Sequence, residues 1–189
     1  MQQVLIDCGS NLGQGFEKLS KELDIDSKWN IYMFEPNKRC VDSLKNKYRG
    51  IENIHIVEKA VWTKKEKRML VGEYLPASKE WVGEASNIIG EDYVPPDYIE
   101  PAYLMPLELI DCINFSKFLS TFINKKIFLK FDIEGAEFDV LDKMIEDETI
   151  LLIDTIYVEF HNQLIKDRKD KSYYIDYFNN NKIKYKEWL

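Results

Sequence analysis

Four stretches of this chain place groups able to do chemistry where an apolar run gives way to a turn. The first, Asp7-Cys8-Gly9-Ser10-Asn11-Leu12-Gly13-Gln14-Gly15, follows Val4-Leu5-Ile6 and leads straight into a helical pattern. Glycines at a strand-to-helix turn let a ligand approach the backbone and leave the helix N-terminal amides free to donate hydrogen bonds. Gly9 and Gly13 stand four apart in a D-x-G-x-x-x-G pattern, so the G-x-G-x-x-G dinucleotide fingerprint is absent, as are the Lys and Ser/Thr of a P-loop. The second stretch, Phe34-Glu35-Pro36, sets a carboxylate 26 residues after Gly9. An acid there can accept both ribose hydroxyls of a nucleoside lying across a sheet edge. The third is Lys130-Phe131-Asp132-Ile133-Glu134-Gly135-Ala136-Glu137, and the fourth is Tyr157-Val158-Glu159-Phe160-His161.

Strand alternation puts Phe128, Lys130 and Asp132 on one face and Tyr157, Glu159 and His161 on one face, so both strand ends offer polar groups to a single crevice. Asp132 and His161 are the candidate general base and its orienter; His55, the other histidine, has no such neighbours in sequence. Asp132, Glu159 and His161 could also ligate Mg²⁺ or Mn²⁺, although the reading calls for no metal. Glu134 and Glu137 are expected to offset the positive end of the helix that starts at Ala136. Cys8, Cys40 and Cys112 are odd in number and form no C-x-x-C pair, which argues against a disulfide framework or a structural zinc, and Cys8 and Cys112 lie near no basic partner in sequence, which argues against a cysteine nucleophile.

The elements that must position these groups alternate. Short apolar runs predict strands at Val4 to Cys8, Ile31 to Glu35, Ile54 to Val57, Ile127 to Asp132 and Thr155 to His161. Helical spacing predicts helices at Gly15 to Leu23, Asn37 to Tyr48 and Ala136 to Ile145, the last with Ala136, Val140, Leu141, Met144 and Ile145 in one apolar stripe. The result is a doubly wound, Rossmann-like α/β sheet, mostly parallel, with helices on both faces.

Residues 73 to 106 break the pattern, with five of the six prolines set among Tyr74, Trp81, Tyr93, Tyr98 and Tyr103. Seven acids to one base give this segment six of the seven net negative charges, so the rest of the chain is nearly neutral. It reads as a long insertion after the third strand, without regular elements, acting as an acceptor lid. Within it, Ser86 and Asn87 offer hydrogen bonds to substrate hydroxyls, and Glu159 offers a further one from the crevice.

With 189 residues, 45% of them hydrophobic and 31% charged, one domain over residues 1–189 is expected, and global disorder is excluded. A net charge of -7 disfavours nucleic acid as a partner, because counterion release needs a concentrated positive surface. The lysine-rich clusters at 64–68 and 166–171 read as solvated faces. No run approaches the ~20 apolar residues of a membrane span and no basic leader precedes Val4, so a cytoplasmic protein is expected. Its oligomeric state stays open.

Taken in order, Asp7 to Gly13, Phe34-Glu35-Pro36, Lys59-Ala60-Val61 and above all Leu129 to Glu137 resemble the FkbM-type methyltransferases, from about residue 3 to residue 162. The Lys-x-Asp-x-Glu-Gly-x-Glu block is the most specific part. The resemblance implies a class I methyltransferase sheet, S-adenosylmethionine as cofactor, and O-methylation of a small-molecule or glycan acceptor, commonly a sugar. Asp7, Gly9, Ser10, Asn11 and Gly13 would then surround the methionine end, Glu35 the ribose, Lys59 and Ala60 the adenine, with Asp132 between donor and acceptor. Ser10 stands where many relatives carry Ala, and Ile183 to Leu189 leave little room for the final antiparallel hairpin strand of the wider class. Two other readings compete. A non-catalytic S-adenosylmethionine-binding module would have no use for the 73–106 insertion. A methyltransferase for RNA or protein should show a basic face or an Asn/Asp-Pro-Pro-Tyr motif.

Overall fold

The chain starts in the middle of its main sheet. In the computed structural model, which describes residues 1–75, 80–88, 104–161 and 169–188 with backbone alone at 73–75, 80–85 and 104–105, β1 (Gln3–Cys8) pairs in parallel with β2 (Asn30–Phe34) on one side and β8 (Lys126–Phe131) on the other. From β1 the chain winds outward through α1 (Gln14–Glu22), β2, α2 (Lys38–Lys47) and β3 (Ile54–Val57). It later returns to β8 and winds the opposite way through α4 (Glu137–Glu146), β9 (Ile153–Val158), α5 (Lys171–Asn180) and β10 (Lys184–Glu187). The order β10-β9-β8-β1-β2-β3 is parallel throughout and reverses direction between β1 and β8. Open α/β sheets bind ligands at such a switch point, outside the carboxyl ends of the strands.

Both faces are buried, which is why the strands read as continuous apolar runs. Val4, Ile6, Leu129, Phe131 and Ile156 pack on one side with Val140, Leu141 and Met144 of α4. Leu5, Ile31, Met33 and Phe128 pack on the other with Phe16 and Leu19 of α1 and Leu44 of α2. Each such side chain contributes about 1.5–3 kcal/mol on full burial. Local chemistry sets the helix starts: Asn37 caps α2 by accepting from the Arg39 amide, and Asp170 caps α5 by accepting from the Ser172 amide.

A second sheet, ordered β4-β7-β5-β6, corrects the expectation that no regular element spans 73 to 106. It comprises β4 (Ala60–Trp62), β5 (Glu66–Leu75), β6 (Glu80–Asn87) and β7 (Leu104–Asn114), and the expected irregular segment supplies all of β6 and the ends of β5 and β7. Pro106 is accommodated because it pairs with Val71 where the β5–β7 register shifts, a bulge that spares a missing amide. The greater part of the expected lid, with Pro76, Pro95, Pro96 and Pro101, lies outside the described residues. β7 leads into the short α3 (Phe115–Leu119), which packs on the main core. β10 pairs in parallel with β9 and completes the edge where an antiparallel strand had seemed too long to fit. No helix among the described residues is long and apolar enough to cross a membrane.

Candidate active site

The carboxyl ends of β1, β2, β8 and β9 open on one cleft of about 350 Å³. The turn after β1 forms its floor. Gly9 takes a φ of 77°, and a Cβ there would stand 1.7 Å from the carbonyl oxygen of Asp132, so only glycine lets this turn meet the end of β8. The amides of Gly9 and Ser10 both donate to the Phe34 carbonyl at 3.0 Å, and the Ser10 hydroxyl donates to the Asp7 carbonyl at 2.8 Å. Asn11, at a φ of 48°, donates its amide to Glu35 Oε2 at 2.8 Å, while the Asn37 amide donates to Oε1 at 2.8 Å. Glu35 therefore fastens the turn to the end of β2. Each carboxylate oxygen has two lone pairs and so keeps one for a ligand. Burial pushes the Glu35 pKa up to about 7, against the pull of the two amides.

Beneath the turn lies a buried cation. Lys130 is register partner to Asp7 in the β1–β8 pair, and its Nζ sits 3.1 Å from Asp7 Oδ1, 3.3 Å from Asp132 Oδ2 and 3.1 Å from the Gly9 carbonyl. Burial pulls the lysine pKa down, but the charges of Asp7 and Asp132 outweigh it and hold the value above the ordinary one. Gly15 makes room on α1, since a Cβ there would stand 2.9 Å from Lys130 Cε.

Across the cleft the loop after β8 turns sharply through Glu134 and Gly135, with φ of 53° and 96°. The fully buried Glu137 ties this loop by accepting from the amides of Ile133 at 2.8 Å and Gly135 at 2.9 Å. His161 Nδ1 lies 3.0 Å from Glu137 Oε1, and Nε2 lies 3.5 Å from Glu134 and 3.7 Å from Glu159. Burial lowers the His161 pKa, but the hydrogen bond and charge of Glu137, with Glu134 and Glu159, outweigh it and hold the value at about 9. Burial pushes Glu134 up to about 7 and also raises Glu159, where the charge of Asp132 adds to the effect.

The structure brings most of the expected site together. Gly9, Ser10, Asn11, Glu35, Lys59 and Ala60 line the cleft on the expected donor side, and Asp132, Glu159 and Ser86 line it elsewhere. Four expected residues stand back from it. Asp7 is fully buried and reaches the cleft through Lys130; Gly13 starts α1 with a φ of 90°, its face closed by Tyr48. Asn87 is buried, and among the described residues its amide finds no hydrogen-bond partner. His161 lies behind Glu134 and Glu159, because β9 ends at Val158 and the chain then turns the ring inward onto Glu137. Sequence reasoning passed over several lining residues, among them Lys130, Glu134 and Trp188. Lys130 carried a signal, since a lone cation in Phe128-Leu129-Lys130-Phe131 must find a buried counter-charge. Glu134 was read as a helix-end acid, and only its left-handed backbone turns it to the cleft. Trp188 arrives at the cleft through the pairing of β10, which nothing local announces.

A family model described as the methyltransferase FkbM domain matches residues 7–182. No curated protein matches significantly. Among solved structures, a methyltransferase FkbM from Methylobacillus flagellatus KT is similar, with a TM-score of 0.43 and 17% identity over 76% of this chain and 29% of that one. This chain thus spans under a third of the length of that relative. The family match runs across both halves of the main sheet and takes in every lining residue of the cleft but Trp188, and on that ground the chain belongs to the FkbM-domain methyltransferases.

Proposed function

We propose that this methyltransferase takes its methyl group from S-adenosylmethionine and passes it to a hydroxyl of a small polar acceptor, a sugar or glycan. The observation that carries the reading is Glu35, a buried carboxylate whose two oxygens each hold one amide and keep a lone pair for a ribose diol. The Gly9 turn supports it, because no side chain stands there between backbone and ligand. S-adenosylmethionine supplies a methyl group already activated on a sulfonium, whose positive charge suits a cleft edged by Glu35, Asp132, Glu134 and Glu159.

The work left to the chain is mostly holding the acceptor oxygen in line, which is worth several kcal/mol of barrier when the geometry is right. Lys130 holds Asp132 by Oδ2, leaving Oδ1 to orient the acceptor hydroxyl and take its proton, a contribution of about 10²- to 10⁴-fold. Glu159, 39% exposed at its side chain, and Ser86 face the same cleft and receive the acceptor's other hydroxyls. Glu137 and His161 act indirectly by fixing the loop that carries Glu134. Acids around the acceptor side would repel a phosphodiester, which favours a neutral polyol over nucleic acid.

The test is incubation with S-adenosylmethionine and a panel of mono- and oligosaccharides, followed by mass spectrometry. An acceptor that gains the mass of one CH₂, and fails to gain it with Asp132→Asn, supports the reading. Transfer to protein or RNA but to no sugar would replace it.

A further inference from the structure

We propose that Asp132, Glu134 and Nε2 of His161 bind one divalent cation, Mn²⁺ or Mg²⁺, on the acceptor side of the cleft. One ligand atom from each lies within 4.8 Å of the others. Ligands of an octahedral cation held at about 2.1 Å stand ~3.0 Å apart when adjacent and ~4.2 Å when opposite, so side-chain rotations that draw the three atoms in by about 1–2 Å close the site. An oxygen-rich set with a single imidazole suits these hard cations better than a thiolate-seeking metal, the imidazole releasing its Nε2 proton to solvent as the cation enters.

The histidine supplies an observation independent of the acids. Its side chain is 9% exposed, and its Nδ1 is taken by Glu137, a carboxylate that already accepts two backbone amides. A ligating histidine typically gives its other nitrogen to a carboxylate in this way, which fixes the ring. Nε2 is thereby aimed at Glu134 and Glu159, yet among the described residues it hydrogen-bonds to neither, at 3.5 and 3.7 Å. Glu159 stands within reach as a fourth ligand. Lys130 is committed to Asp7, Asp132 and the Gly9 carbonyl, and among the described residues it makes no ion pair with Glu134 or Glu159.

Asp132, Glu134 and Glu159 all line the cleft, so the remaining coordination positions face the space where an acceptor would lie. A hydroxyl bound there would be polarised and positioned. That role rests on the proposed hydroxyl transfer, whereas the binding of the cation does not.

The experiment is a Mn²⁺ titration of the full chain followed by electron paramagnetic resonance, with neither donor nor acceptor present, so that its outcome is separate from any assay of methyl transfer. One equivalent of Mn²⁺ should leave the free-ion spectrum, Mg²⁺ should compete it out, and Glu134→Gln should weaken binding by at least ~10-fold. Glu137→Gln, which keeps the three ligand side chains but loosens the hold on the His161 ring and on the loop of Glu134, should weaken it by ~10- to 100-fold. Glu134 is partly exposed, 23% at its side chain, where His161 is buried, so its variant keeps the test open if a His161 variant does not fold. Absence of bound Mn²⁺ would overturn the proposal, and so would stoichiometric binding that Glu134→Gln leaves unchanged, which would place the ion on exposed acids such as Glu146.

Discussion

Replacing Lys130 by Met should unfold this protein more readily than any surface substitution, and the reason lies in what Asp7 is left with. Asp7 is fully buried and, among the described residues, neither of its oxygens makes a hydrogen bond of ordinary geometry, so the 3.1 Å ion pair to Lys130 is the main compensation for its burial. Breaking a buried pair from one side costs about 3–5 kcal/mol, because an uncompensated charge remains. For a chain of this length about 1 kcal/mol moves the midpoint by ~2–4 °C, so thermal denaturation should fall by ~6–20 °C. Asp132 and the Gly9 carbonyl lose the same partner, so the turn at the cleft should loosen with it. The informative variant is the double one. Asp7→Asn with Lys130→Met removes both charges, and it should recover much of the loss, giving a coupling well above the ~0.5 kcal/mol seen between independent sites. A single variant that melts within ~2 °C of wild type, or two losses that simply add, would refute the idea that the pair acts as a unit.

Gly9→Ala should lose the cleft, since its Cβ would fall 1.7 Å from the Asp132 carbonyl at a φ of 77°; a variant with wild-type melting and donor binding would show the turn to be pliable. Donor affinity should rise with pH. Burial lifts Glu35 from 4.5 to about 7, the charge of Asp7 adds to the rise, and the amides of Asn37 and Asn11 with the charge of Lys130 oppose it. The ionised carboxylate is the better acceptor for two hydroxyls, so calorimetry should show tighter binding as pH passes through about 7, and Glu35→Gln should flatten that profile. The same shift has the opposite sign for the fold: stability from a neutral Glu35 is fully present below 4.5 and is lost as pH rises through about 7, a change of about 3 kcal/mol readable by urea titration against Glu35→Gln. Asp132→Asn should lower turnover by ~10²- to 10⁴-fold with donor affinity kept, and equal losses in both would reduce Asp132 to a binding residue.

What the sequence made legible was the half of the fold whose strands are buried on both faces. Val4 to Cys8 and Ile127 to Phe131 announce themselves as apolar runs because no solvent face interrupts them, and their ends fall within a residue or two of expectation. The second sheet hid for the opposite reason. β5 opens with Glu66-Lys67-Arg68, β7 carries Pro106, and their order comes from pairing with each other rather than from local pattern. β10, Lys184-Tyr185-Lys186-Glu187, has no apolar run, and its ladder to β9 is what makes it a strand. The half of the cleft built on β1 and β2 was legible because its chemistry is local, a glycine turn and one strand-end acid. The half built on β8 and β9 was less so. Asp132 and Glu159 reach the cleft as expected, but the placement of His161 depends on where β9 stops, and that of Glu134 on a left-handed residue.

The account stands most directly on Glu35 and the Gly9 turn as the proposed donor site. Titration calorimetry of the wild-type chain with S-adenosylmethionine and with its demethylated product should show one binding event each. Glu35→Ala, which removes two charge-assisted hydrogen bonds worth about 1.5–3 kcal/mol each, should weaken both by at least ~10-fold while the melting temperature shows the variant folded. Binding that is absent from the wild type, or that is as tight in Glu35→Ala, would contradict it.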